Sequence, residues 1–291
     1  MKLPNVTIKQ LLEAGVHLGH KTFRWNPKMS KYIFGSKGSI HIIDLVQTLE
    51  MTNAALKEIH SCISSGGRIL FVSTKKQATE IIAKLAKDTQ QFYVNHRWLG
   101  GMLTNWKTIS NSIKYYKKLT EELEKENKGF TKKEILKMGT ERDKLERSLG
   151  GISLMKKPPE MIFIIDTNIE SIAVKEAIKL NIPIVAVIDT NSDPTGINFP
   201  IPGNDDARRA INLYCDLVRE TILDAQKNIS FKKVEENKIS EDNNKTENTL
   251  GSKDQKIDNQ DKPQKKKKDK PEKKTKSIFA KIKKIASEKL K

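Results

Sequence analysis

The chain has 291 residues, 36% of them hydrophobic, enough for one sizeable core or two small domains. Its formal net charge of +18 draws polyanions, with nucleic acid the first candidate in the cytoplasm and an acidic membrane surface the competitor. Cys62 and Cys215 belong to no CxxC pair and their flanks read as buried helix faces, which argues for a reduced cytoplasm rather than a disulfide framework. The absence of any long apolar run or signal core leads us to expect a cytoplasmic chain without a membrane span, its mature form beginning near Met1.

In chain order, Thr7 and Gln10 form a capping-box pattern ahead of Ile8, Leu11 and Leu12, and Gly15 stands where a short first helix would stop. Two β-rich runs, 31–34 and 39–43, flank residues 35–38 and read as a hairpin. Asp44 caps a helix to about Ser61. Apolar runs at 68–73, 161–166 and 184–189, and a weaker one at 91–95, alternate with helical patterns at 75–88, 169–180 and 205–226. Asn204 caps the last of these, with Asp205 and Asp206 at its positive dipole end. The alternation predicts an α/β fold with a doubly wound parallel sheet covered on both faces.

From Trp106 the period changes. Ile109, Ile113, Tyr116, Leu119 and Leu123 form a coiled-coil seam, Gly129 interrupts it, and Ile135, Met138, Leu145 and Leu149 continue it. An antiparallel helical hairpin over 106–150, inserted into an α/β domain spanning 1–228, is the expected arrangement. Residues 229–276 are too poor in apolar side chains to offset chain entropy and are expected to be a disordered linker. Over 277–291, Ile278, Phe279, Ile282, Ile285, Ala286 and Leu290 share one face of a possible basic amphipathic helix. From Lys227 onward, 21 lysines face 11 acidic residues, so the tail carries a net +10. Loose RNA association is its expected role.

Three groups of residues carry chemistry. The first is NHRWLGGMLTNW at 95–106, where Gly100 and Gly101 permit close backbone approach, His96 and Arg97 can meet phosphates or bases, and Trp98 can wedge against sugars; Lys107 follows. The alternative is a tight turn with buried tryptophans. The second is the loop of Lys21, Arg24, Trp25, Lys28 and Lys31, basic and interleaved with an aromatic ring as RNA contacts require. Lys75 and Lys76, after the first core strand, join this RNA-facing set, although neither GxxxxGK[ST] nor a post-strand GxGxxG occurs.

The third group is acidic. Asp189 and Asp193 follow a strand, and with Asp205 and Asp206 they form a candidate divalent-cation site; the favoured reading makes Asp189 and Asp193 turn formers and Asp205 and Asp206 partners of the helix dipole, with no metal. His17 and His20 lie three apart, but with no cysteine beside them they are not taken as a metal pair. Asp166 and Asp189 offer carboxylates at strand ends, yet no nucleophile, base and orienting group stand together, so no enzyme and no other cofactor is expected.

The segment at 95–106, together with AGVHLGH at 14–20, RWNPKM at 24–29, SLGGI at 148–152, IDTNSDP at 188–194 and IPGNDDARRA at 201–210, closely resembles the bacterial small-subunit ribosomal protein S-two family. The match spreads over 1–226 and leaves the tail uncovered. The resemblance implies a flavodoxin-like sheet with a protruding hairpin, seated on 16S ribosomal RNA between head and body of the subunit. It further implies an architectural role and a docking platform for the messenger-binding protein S-one. Neighbouring ribosomal proteins are implied partners, with no membrane, no small-molecule substrate and no homo-oligomer. A free RNA-binding regulator is the rival, and it leaves the ordered motifs unexplained.

Overall fold

The computed structural model describes residues 4–125, 129 and 131–228; the segments expected as linker and terminal helix, 229–276 and 277–291, lie outside the described residues. Helix α1 (Ile8–Glu13) opens with the expected capping box, Thr7 Oγ1 accepting from the Gln10 backbone and Gln10 Oε1 accepting from the Thr7 backbone at 3.0 Å. Strands β1 (Leu18–Lys21), β2 (Ile33–Lys37) and β3 (Ile40–Ile43) then form an antiparallel sheet in the order β1-β3-β2. The hairpin turn is tighter than its sequence suggests. Gly38 and Ser39, with φ of 59° and 62°, make a two-residue turn whose handedness suits twisted strands, so β2 runs on through Gly35 instead of ending before it. Asp44 caps α2 (Leu45–Ser64) as expected, its Oδ1 accepting from Val46 N at 2.9 Å.

The remaining strands are β4 (Ile69–Val72), β5 (Phe92–Val94), β6 (Met161–Ile165), β7 (Ile184–Ile188) and β8 (Phe199–Pro202). They form one parallel sheet in the order β5-β4-β6-β7-β8. Between them run α3 (Thr79–Asp88), the pair α4 (Trp106–Glu124) and α5 (Lys132–Leu149), and α6 (Ser171–Lys179), with α7 over 208–228 closing the body. Alternate strand residues serve two cores. Ile69, Phe71, Phe163, Ile165, Val185 and Val187 pack with Leu56, Ile59, Ile82 and Tyr214 on one face. Leu70, Val72, Ile162, Ile164, Ala186 and Ile188 pack with Trp98, Ile109, Leu149 and Val174 on the other. Each large side chain so buried contributes roughly 1.5–3 kcal/mol, which is why these strands read as unbroken apolar runs.

Both edges of this sheet are covered. At β8, Gly203 N donates to Ile188 O at 2.9 Å, a register that turns Pro200 and Pro202 outward, where no donor is needed. Thr48 of α2 donates its hydroxyl to the Pro202 carbonyl at 2.7 Å. At β5, the turn Gly150–Ile152 lies so close that a β-carbon on Gly151 would overlap the Tyr93 carbonyl oxygen.

The hairpin α4/α5 buries Ile109, Ile113, Leu119 and Leu149, as the seam pattern requires. Its far end differs: Ile135 and Leu136 are 40% and 72% exposed, so the first turns of α5 rest on their own capping box, Thr131 with Glu134, rather than on the seam. The helices predicted at 75–88, 169–180 and 205–226 begin later than their sequence patterns, at Thr79, Ser171 and residue 208. In each case one polar group of the preceding strand-end turn is engaged elsewhere, Lys75 with Asp205 and Glu170 with the Thr74 backbone. Among the described residues no helix is long and apolar enough to cross a membrane.

Candidate functional site

At the carboxyl ends of the strands, where open α/β sheets place ligands, the fold gathers one lysine, one histidine and four aspartates. Lys75 follows β4, Asp166 follows β6, Asp189 follows β7, Asp205 and Asp206 follow β8, and His20 comes from β1 of the small sheet. The Lys75 ammonium lies 2.9 Å from Asp166 Oδ2, 2.7 Å from Asp205 Oδ1 and 2.8 Å from Asp206 Oδ1. His20 Nδ1 is 2.8 Å from Asp189 Oδ2 and its Nε2 is 3.4 Å from Asp206 Oδ2. Asp166 adopts φ of 67° and its Oδ1 accepts from the backbones of Asn168 and Ile169, which aims its other oxygen at Lys75.

The electrostatics follow from this crowding. Burial pushes Asp205 up to about 7, helped by the charges of Asp189 and Asp166 and opposed by Lys75. The hydrogen bond to Asp189 raises His20 above its ordinary value against the opposing effect of burial, with the charges of Asp189, Asp205 and Asp206 adding to it. Burial alone would lower the Lys75 ammonium, but the carboxylates, Asp205 first, hold it above its usual value. Ligand atoms of His20, Asp189 and Asp205 lie within 4.8 Å of one another, and Asp205 Oδ2 is buried without a hydrogen-bond partner among the described residues. One imidazole nitrogen and two carboxylates suit a divalent cation.

Asp193, expected in this cluster, is not part of it. Its carboxylate accepts from Lys28 Nζ at 2.8 Å and from Thr195 N at 2.9 Å, and the hydrogen bond from Lys28 leads in holding its pKa down to about 2. His20 takes its place. The HxxH spacing was visible in the sequence, but the partners of His20 lie 169 and 186 residues away.

The basic loop is built on two 3-10 turns, Thr22–Arg24 and Pro27–Tyr32, and fastened to the body by Asn26 N donating to Thr190 O at 2.8 Å and His20 N donating to Thr190 Oγ1 at 3.0 Å. Lys21, Arg24, Trp25 and Lys31 are exposed; Arg24 stacks over Phe23 at 5.4 Å and Trp25 tilts against His41 at 5.4 Å. Lys28 is exposed too, but partnered by Asp193 and Thr195.

The NHRWLGGM segment divides. His96, Arg97, Lys107 and, across the Thr79–Asn95 hydrogen bonds, Lys76 are exposed. Trp98 is buried, which corrects its reading as a wedge for RNA. Its Nε1 donates to Glu176 Oε1 at 3.1 Å, and the same carboxylate accepts from Gly101 N at 2.7 Å, Leu103 N at 3.0 Å, and Thr104 N and Oγ1 at 3.1 Å. Burial works against the charge on Glu176, and these donors, Thr104 N first, outweigh it and hold the acid below its ordinary value. Lys75 is corrected likewise: an ammonium with a 9% exposed side chain and three carboxylates around it has no reach for phosphate.

Among the described residues, no nucleophile with an adjacent free base stands at this cluster. Both ring nitrogens of His20 face carboxylates, and burial pushes the thiols of Cys62 and Cys215 up to about 11 and about 12, away from the reactive thiolate. The fold is that of an α/β protein with a helical hairpin inserted between the strands of its parallel sheet. The sequence model of Ribosomal protein S2, the S-two family of the resemblance, matches residues 11–225, and the chain belongs to that family. It is 60% identical to the small ribosomal subunit protein uS2 of Sinorhizobium medicae over 224 residues, covering 77% of this chain and 88% of that protein. Identity to uS2 of Chelativorans sp. is 59%, covering 77% and 84%, and to uS2 of Brucella suis 58%, covering 77% and 88%. Members of the family are structural, non-catalytic components.

Proposed function

We propose that the chain is a structural constituent of the small ribosomal subunit, binding 16S ribosomal RNA between head and body and helping dock protein S-one. The observation that carries this reading is the family match over residues 11–225, hairpin included. The RNA-facing surface consists of Lys21, Arg24, Trp25, Lys31, Lys76, His96, Arg97 and Lys107, all exposed, with Lys28 sharing its charge with Asp193. Met29 and Tyr32 under the loop belong to the same apolar cluster as Trp98 and Met102, so one layer braces both parts of that surface.

In this reading, the sheet is flavodoxin-like, its order being second-first-third-fourth-fifth in chain sequence. Residues 1–228 act as one body with the 106–150 hairpin as a coiled-coil arm, and the lysine-rich 229–276 and 277–291 add loose RNA attraction. The protein works in the cytoplasm, on the subunit and as a single copy. Sedimentation of a cell extract through sucrose at moderate and then high salt tests this: the full chain and one ending at Asn228 should both travel with the small subunit. If neither does, the protein is a free RNA-binding regulator.

The unpartnered Asp205 Oδ2 favours a second reading of the strand-end cluster, as a divalent-cation site of His20, Asp189 and Asp205 beside Lys75. Zinc at ~100 times its Kd should then add about 2.7 kcal/mol to stability. A thermal melt that moves neither with zinc nor with excess EDTA would leave the carboxylates to Lys75 and His20.

A further inference from the structure

Where the hairpin returns to the sheet edge there is a cleft of 320 Å³, at the small end of the roughly 300–1,000 Å³ typical of ligand sites. Tyr93 and His96 from the end of β5 line one side, Asp143, Glu146 and Arg147 from the last turns of α5 the other, and Gly151 closes it. The walls are set by backbone: Gly151 lies directly against the Tyr93 carbonyl and ring. Asp143 is occupied by Arg142 at 2.6 Å and 3.0 Å. The exposed side chains of His96, Glu146 and Arg147 make no hydrogen bond or ion pair among the described residues.

The charges select the ligand. With Asp143 paired to Arg142, Glu146 and Arg147 balance each other and leave no positive excess, which disfavours a bare phosphate. A neutral, planar heterocycle suits the cleft better, with the aromatic residues Tyr93 and His96 in its lining. A carboxylate such as Glu146 accepts from two adjacent N–H groups, and a guanidinium such as Arg147 donates to two adjacent acceptors. Guanine presents both, the N1–H and N2–H₂ donors on one edge and the O6 and N7 acceptors on another. We propose that this cleft receives an unpaired guanine of the RNA to which the protein is bound, with Glu146 and Arg147 reading its two edges. The inference rests on the ribosomal function proposed above.

The test uses small subunits assembled in cells with 6-thioguanosine in their RNA, irradiated at long wavelength, with adducts on the full chain mapped by mass spectrometry. The expected result is an adduct within 93–96 or 146–151, reduced about tenfold per incorporated chain by Glu146→Ala and unchanged by Lys144→Ala on the same helix. Subunits carrying 4-thiouridine should give none there. Equal adducts with 4-thiouridine, or adducts on the 21–31 loop and none in the cleft, would overturn the guanine site and leave the ribosomal reading intact. A chain missing from the subunit would overturn both.

Discussion

Glu176 is the residue on which the shape of the 98–104 segment turns, because one buried carboxylate accepts from a tryptophan ring, three backbone amides and a hydroxyl. Glu176→Gln keeps the volume but aims an amide N–H₂ at those donors; we expect a loss of about 2–4 kcal/mol in urea unfolding, with His96 and Arg97 displaced. The pH dependence has a definite sign. Since the folded-state pKa lies below the ordinary 4.5, the clasp contributes fully above that value and is lost as pH falls through the lower folded one. Tryptophan fluorescence should therefore be flat from pH 7 to 5 and change only in stronger acid, and in the Gln variant this acid step should shrink. The clue in the sequence was a glutamate on the same helical face as Ala173 and Ala177, which outweighs the reading of Trp98 as a nucleic-acid contact. Asp189, Asp205 and Asp206 could be read as a cluster from their strand-end and helix-start positions. His20 and Lys75 could not, because long-range pairing leaves no local pattern.

At the level of elements, β4, β6 and β7 were legible because strands buried on both faces have no room for polar residues. The edge strand β8, reading FPIP, was not, since two prolines argue against a strand unless its register is known. Nor was β1, where LGHK offers neither alternation nor β-branching. The hairpin could be read from its seam, but its attachment rests on Gly151, whose role follows only from the proximity of Tyr93. Gly151→Ala should push the 150–152 turn off β5 at a cost of about 1–3 kcal/mol, with faster amide exchange in β5. Ile113→Ala, within the seam, should cost about 2–5 kcal/mol. An Ile135→Ala variant should be nearly silent, because that side chain is 40% exposed.

For the whole molecule, both parts are basic, with a net +10 from Lys227 onward and the remaining +8 of the total +18 in the folded body. Residues 229–291, with 20 lysines against 11 acidic residues and a net +9, lie beyond the matched residues 11–225, so removing them should leave the melting temperature of the body unchanged. It should also flatten the salt dependence of RNA binding, the logarithmic slope falling by about 0.7–0.9 for each phosphate that the tail neutralises. The covered edges of the five-stranded sheet bear on the protein's life before it reaches RNA. Outward prolines at β8 and the close turn at β5 leave no row of open amides for another chain to pair with. Newly made copies, crowded and not yet assembled, therefore meet no open edge of the five-stranded sheet along which one chain could extend another.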